Sequence, residues 1–201
     1  MDIPDLEAID HDDVKRFAAV AEELCGVVEK VSRLKKAYFL ERMDELLPLI
    51  YSLAPRLPYP FDPDPDEPVI GDEDYDPMKP HPRPIAMTSP ESTQLQRTQR
   101  DRIGRKLGLH RSFHFVYDPV DPADKEIINA DLADILSDIY VGLKEGLILY
   151  GRSSDIERAY AVSDWRLGVE CNWGRDVAEA FLPIHSLIHW HYDEDDEVFR
   201  P

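Results

Sequence analysis

The chain has 201 residues, with 41 Asp or Glu against 23 Lys or Arg, 17 prolines, nine glycines and two cysteines. At about 100–200 residues per domain this length suits one compact domain with appendages, and an apolar fraction of 43% supplies a real core, which excludes a wholly disordered chain. The formal charge of −18 argues against sequence-independent binding to nucleic acid or anionic lipid, which needs clustered Lys and Arg; it permits basic protein partners and divalent cations.

Residues 1–13 form an acidic N-terminal segment without Lys or Arg. A targeting segment would be basic there, so a cytoplasmic location is expected. After Asp12 and Asp13, both good N-cap residues, Phe17, Val20, Ala21, Leu24, Val27, Val28 and Val31 recur at three- and four-residue intervals and predict a helix of about five turns. A second helix is expected from Ala37 to Ala54, with Phe39, Leu40, Met43, Leu46, Leu47, Ile50 and Leu53 inward, a kink at Pro48 and a stop at Pro55. The two read as an antiparallel hairpin.

Residues 56–88 follow as a Pro/Asp-rich loop within the bundle, since eleven prolines fall between Pro55 and Pro90 and residues 61–76 carry eight acids and no base. Proline removes backbone donors and the carboxylates repel one another, so neither helix nor sheet propagates there. Ser89-Pro90-Glu91 then opens a third helix, with Ser89 as cap, running to Leu107 before Gly108. Its apolar residues are few (Leu95, Ile103 and Leu107), and it is basic, with Arg97, Arg100, Arg102, Arg105 and Lys106. It is expected on the surface, with the chain's own acidic loop as partner for its charge.

After a turn-rich stretch in which His114 to Tyr117 is the one strand candidate, a fourth helix carries Leu132, Ile135, Leu136, Ile139, Leu143 and Leu147 on one stripe. Ser154 and Glu157 have the spacing of a capping box and start a fifth helix through Val162, Trp165 and Val169. Gly174 divides this from a sixth, whose stripe is read as Val177, Ala178, Phe181, Leu182, His185 and Ile188, with Pro183 inside it. Residues 192–201 form an acidic C-terminal tail. The expected fold is an all-α, single-domain bundle of about six helices spanning residues 14–191.

Three features could carry chemistry. Asp131, Asp134 and Asp138 lie at i, i+3 and i+7 on the fourth helix, and Glu145 falls on the same side. Such a stripe could hold a divalent metal as all-α phosphohydrolases do, if Glu41 and Asp44 of the second helix, or Glu22 and Glu23 of the first, stood opposite. It points well away from the leucine stripe, which makes a solvated face the simpler account. His185 and His189 are four apart, with His191 beyond, so two imidazoles could face one metal given a third ligand from elsewhere; a hydrogen-bonded His185 at the core boundary is the plainer alternative. Cys25 and Cys171 are 146 positions apart with no C-x-x-C spacing, and both are expected as reduced thiols. No phosphate-binding or nucleophile-elbow motif occurs, so no cofactor is expected, a divalent metal being the alternative.

Several strings together resemble an uncharacterised bacterial helical family, domain of unknown function family 5063: Phe17 to Leu53 with Leu46-Leu47-Pro48-Leu49-Ile50-Tyr51, Phe115-Val116-Tyr117-Asp118-Pro119, Asp131-Leu132-Ala133-Asp134-Ile135, and Trp165 through Trp173-Gly174 to His185. The resemblance implies an all-helical fold and no established activity. In the family pattern histidines flank the Trp-Gly pair; here those positions are Asn172 and Asp176. Asp131, Asp134, Asp138 and His185 thus remain as a candidate functional polar face.

Two functions are consistent with these features. The first is an interaction or regulatory module whose acidic segments bind a basic protein partner, with no role for nucleic acid or membrane. The second is a divalent-metal-dependent hydrolase using Asp131, Asp134 and Asp138 with Glu41 or Asp44. The first is favoured, because no catalytic motif is present.

Overall fold

A computed structural model describes residues 6–60, 84–117, 120–121, 123 and 126–190. The acidic stretch 61–76, the tail 192–201 and His191 therefore lie outside the described residues. A one-turn helix α1 (Leu6–Ile9) precedes α2 (Asp12–Glu29), α3 (Lys36–Leu53) and α4 (Ser89–Leu107). Strands β1 (Ser112–Val116) and β2 (Ile127–Asp131) lead into α5 (Leu132–Tyr150), α6 (Asp155–Cys171) and α7 (Trp173–His189). The all-α expectation holds, with a two-stranded antiparallel hairpin added to it.

Helix α5 is central because it is apolar over most of its circumference. Leu132, Ala133, Ile135, Leu136, Ile139, Tyr140, Leu143 and Leu149 are all buried, a pattern that only a helix surrounded by others can satisfy. Its neighbours are α2, α4, α6 and α7, whereas α3 packs chiefly on α2 and α7. The stripes expected on α2 and α3 are the ones buried, apart from the half-buried Val20 and with Val14, Ala18 and Cys25 added. Helix α3 runs through Pro48 and gives way to a single 3-10 turn at Ala54–Arg56.

Two tryptophans set how closely α5, α6 and α7 approach. Trp165 is fully buried, 5.0 Å from the Phe17 ring and 5.5 Å from Tyr150, and its Nε1 donates to the Leu143 carbonyl at 3.4 Å. Its indole edge fills the space a side chain at Gly146 would occupy. Trp173 occupies the corresponding hollow over Gly142 and Gly168.

Local rules misplace several features. Residues 6–13 are not a free acidic appendage: α1 packs on α6, Ile9 is buried, and Arg158 bonds Asp10 at 2.9 Å. His11 caps α2 through Nδ1, which accepts from the Asp13 N–H at 3.2 Å. The cap of α4 is Thr88 rather than Ser89, with the Glu91 carboxylate accepting from both the Thr88 N–H (2.8 Å) and its hydroxyl (2.7 Å). Ser154 sits at the N-cap of α6 but closes no box, because Glu157 pairs instead with Arg152 at 2.6 Å.

The inward face of α7 is also rotated from the expected stripe. Val177, Ala180 and Ile184 are buried, whereas Ala178, Phe181 and Leu182 are exposed. Strand β2, which the sequence does not announce, pairs Ser112 with Asp131 and Phe113 with Ala130. It runs directly into α5, so Asp131 is at once the last strand residue and the helix N-cap.

Candidate functional site

The aspartates of α5 lie along the basic helix α4, with Asp131 half-buried and Asp134 and Asp138 still partly in solvent, and among the described residues they form no carboxylate cage with α3. Asp131 caps α5 through Oδ1, accepting from the Ala133 N–H at 2.9 Å, while Oδ2 takes both the Nε (3.0 Å) and an Nη of Arg111. Arg100 lies 3.8 Å from Asp131 and 3.1 Å from Asp134. Asp138 accepts from the Gln96 amide. These are the contacts of a helix–helix seam. The metal set of Asp131, Asp134 and Asp138 with Glu41 and Asp44 is not assembled, because α3 is not a main neighbour of α5 and Asp44 turns toward α7. Glu22 and Glu23 line a separate cleft of about 590 Å³, where Glu23 pairs with Arg42 and Lys144 reaches Glu29 at 2.7 Å.

Asp176 of α7 interacts electrostatically with Asp138 of this seam. Loss of solvation, reinforced by the charges of Asp138 and Glu179 and opposed by Arg175, pushes it from 3.8 up to about 6. Asp138 is also raised by desolvation, against the Gln96 hydrogen bond, with Asp134 adding to the rise and Arg100 opposing it. A carboxylate with a raised folded pKa costs stability once ionised, so this cost is absent below about pH 4 and develops fully as pH passes 6. Two units correspond to roughly 3 kcal/mol, which partial exposure screens to about 1 kcal/mol. Asp176→Asn should therefore stabilise the protein by about 1 kcal/mol at pH 7.5 and not at pH 4, read from urea melts at both. An equal gain at both pH values would contradict it.

His185 lies elsewhere, nine residues and roughly 13 Å further along α7. Among the described residues it stands beside Asp44 of α3, whereas the α5 aspartates contact Arg100, Arg111 and Gln96. Its Nδ1 stands 3.6 Å from Oδ1 of Asp44, beyond hydrogen-bond range. Both atoms are shielded from solvent and neither has a hydrogen-bond partner among the described residues. The His189 ring centroid is 4.3 Å from that of His185, as i, i+4 spacing dictates. Asp44, His185 and His189 each place one ligating atom within 4.8 Å of the other two. The Phe181 ring (5.9 Å) and the edge of Trp190 (6.3 Å) flank His185.

A third feature is a groove of about 340 Å³ between the start of the hairpin and α7, lined by Leu109, His110, Phe113, His114, Leu182 and Leu187 among others. Leu109 is 96% exposed and Leu182 63%, and Trp190, 69% exposed, follows at the end of α7. Sequence reasoning missed this surface because it assigned Leu182 to the core. Cys25 is buried, which pushes its thiol up to about 12, while Cys171 is exposed. Among the described residues no helix is long and apolar enough to cross a membrane.

Among the described residues seven α-helices, α5 central among them, with one small hairpin feeding that helix, define the class as an all-helical single domain. The chain belongs to the family described as domain of unknown function DUF5063, whose profile matches residues 9–190. Among solved structures it is similar to protein BF1032 from Bacteroides fragilis, at 18% identity and a TM-score of 0.68, over 92% of this chain and 98% of that one. That likeness supports the helical fold alone. No curated protein matches the chain.

Proposed function

We propose that this protein is an interaction domain that captures a partly apolar, basic protein segment in the groove between the hairpin and α7. The observation that carries this reading is the exposure of Leu109 and Leu182 on the two rims of one groove, since apolar side chains grouped at a concave surface mark a binding site more often than scattered ones do. A basic occupant is favoured by charge. The chain carries −18, and the run Asp193-Glu194-Asp195-Asp196-Glu197 comes within a few residues of Trp190. Such a run attracts cations over about 8 Å at physiological salt.

Fluorescence anisotropy with a labelled Lys/Leu amphipathic peptide and its Glu/Leu counterpart tests the proposal, at low and high salt. The Lys/Leu peptide should bind, more weakly as salt rises, and the Glu/Leu peptide should not. The double variant Leu109→Asp/Leu182→Asp should lose at least tenfold in affinity with its melting unchanged, because both side chains are already in solvent. Equal binding of the two peptides, or unchanged affinity in the variant, would refute this reading. Concentration-dependent self-association abolished by Leu182→Asp would instead make a second copy the occupant.

A further inference from the structure

We propose that Asp44, His185 and His189 form a binding site for a first-row divalent transition-metal ion, with zinc the best match. The site is separate from the groove, whose α7 residues Leu182, Pro183, Ser186 and Leu187 lie on the adjacent face of that helix. Three features support it.

The first is ligand chemistry. Two imidazoles and one carboxylate make a donor set that suits zinc and iron(II) and is poor for magnesium or calcium, which prefer oxygen donors alone. The second is spacing. Bonds of about 2.0–2.2 Å place neighbouring ligands of a tetrahedral ion roughly 3.4 Å apart. The observed 3.6 Å between Nδ1 of His185 and Oδ1 of Asp44 is therefore an edge of the right length for two ligands of one ion, and too long for a direct hydrogen bond. His189 is exposed at the rim, so its ring can close the remaining distance by a rotamer change without disturbing the core.

The third feature is unmet bonding. Polar atoms shielded from solvent almost always have a partner, because leaving one without costs about 1–3 kcal/mol. Here two such atoms, one from α3 and one from α7, face each other without a bond. A cation between them would satisfy both and join the two helices. Three protein ligands leave the fourth position of a tetrahedral ion to water or an external ligand.

The test is isothermal titration of the chelator-stripped full chain with Zn²⁺, with Mg²⁺ in parallel, and with Co²⁺ followed by its visible d–d absorption. One equivalent of Zn²⁺ should bind and Mg²⁺ should not compete, while Co²⁺ should develop d–d bands that excess Zn²⁺ removes. Losing even an outer-sphere partner of a metal ligand costs about 10–100-fold, so His189→Ala and Asp44→Asn should each weaken Zn²⁺ at least about 100-fold. His189 is exposed, so its variant should retain the far-UV circular dichroism and melting of the metal-free parent. Cys171→Ala removes an exposed thiol outside both sites and should leave Zn²⁺ binding unchanged. Absence of Zn²⁺ binding by the parent chain, or binding undiminished in both His189→Ala and Asp44→Asn, would overturn the proposal. Neither result bears on the peptide groove.

Discussion

Gly146→Ala should destabilise the protein by about 3 kcal/mol, even though alanine is the better helix former by roughly 1 kcal/mol. The propensity gain is outweighed because a Cβ at position 146 would overlap the Trp165 indole. That ring has nowhere to retreat, with Phe17 on one side, Tyr150 on another and its Nε1 tied to the Leu143 carbonyl. The backbones of α5 and α6 must therefore separate, and the packing around Trp165 loosens with them. Gly168→Ala meets the same obstacle in Trp173.

Gly26 in α2 is the internal control. A Cβ there meets nothing within 4 Å, so Gly26→Ala should stabilise by about 0.5–1 kcal/mol through lower unfolded-state entropy. Urea melts measure all three variants; midpoints should move in opposite directions with little change of slope. Equal shifts for Gly26→Ala and Gly146→Ala would show that the tryptophans do not set the helix spacing.

Asp131→Ala should cost about 2 kcal/mol, and Asp134→Ala no more than about 0.5 kcal/mol. The difference follows from what each carboxylate does. Asp131 ends β2, caps α5 and holds Arg111 with both Nε and an Nη, so its loss removes a cap worth about 1 kcal/mol and a charge-assisted pair of similar size once exposure is discounted. Among the described residues Asp134 pairs with Arg100, and both side chains are more than 40% exposed. Added salt should narrow the gap by screening the Arg111 pair and leave the capping share. A midpoint unchanged in Asp131→Ala would reject this structural role and return the residue to consideration as a functional group.

Much of the helical layout was legible from local pattern. The stripes of α2, α3 and α5 recur at three- and four-residue intervals, and apart from the half-buried Val20 and Leu147 those residues are buried because a helix shows one face to a core wherever it is placed. Helix α7 broke the rule for a physical reason. Phe181, Leu182, Ile184, Leu187 and Ile188 are apolar around more than half a turn, so periodicity admits two stripes, and contact with α3 and α5 selected Val177, Ala180 and Ile184. Strand β2 was missed because five residues pairing with β1 leave almost no periodic signal. Spacing places the aspartates of α5 on one partly solvated face but is silent about the opposite element, which is α4 with Arg100 and Gln96.

The candidate metal site shows the same division. The i, i+4 spacing of His185 and His189 follows from the helix repeat and is visible in the sequence, as is the shortage of any third ligand nearby. That the third ligand is Asp44, 141 positions earlier, depends on α3 packing against α7. By itself the sequence determined the class of fold, the extent of the long helices and the segmental placement of charge, because these depend on neighbours within a few residues. The tertiary structure decided which carboxylates are neutralised by arginine, which apolar residues reach solvent, and which histidine meets which aspartate. Those outcomes turn on the rotation of each helix about its axis, and only packing against other helices sets that rotation.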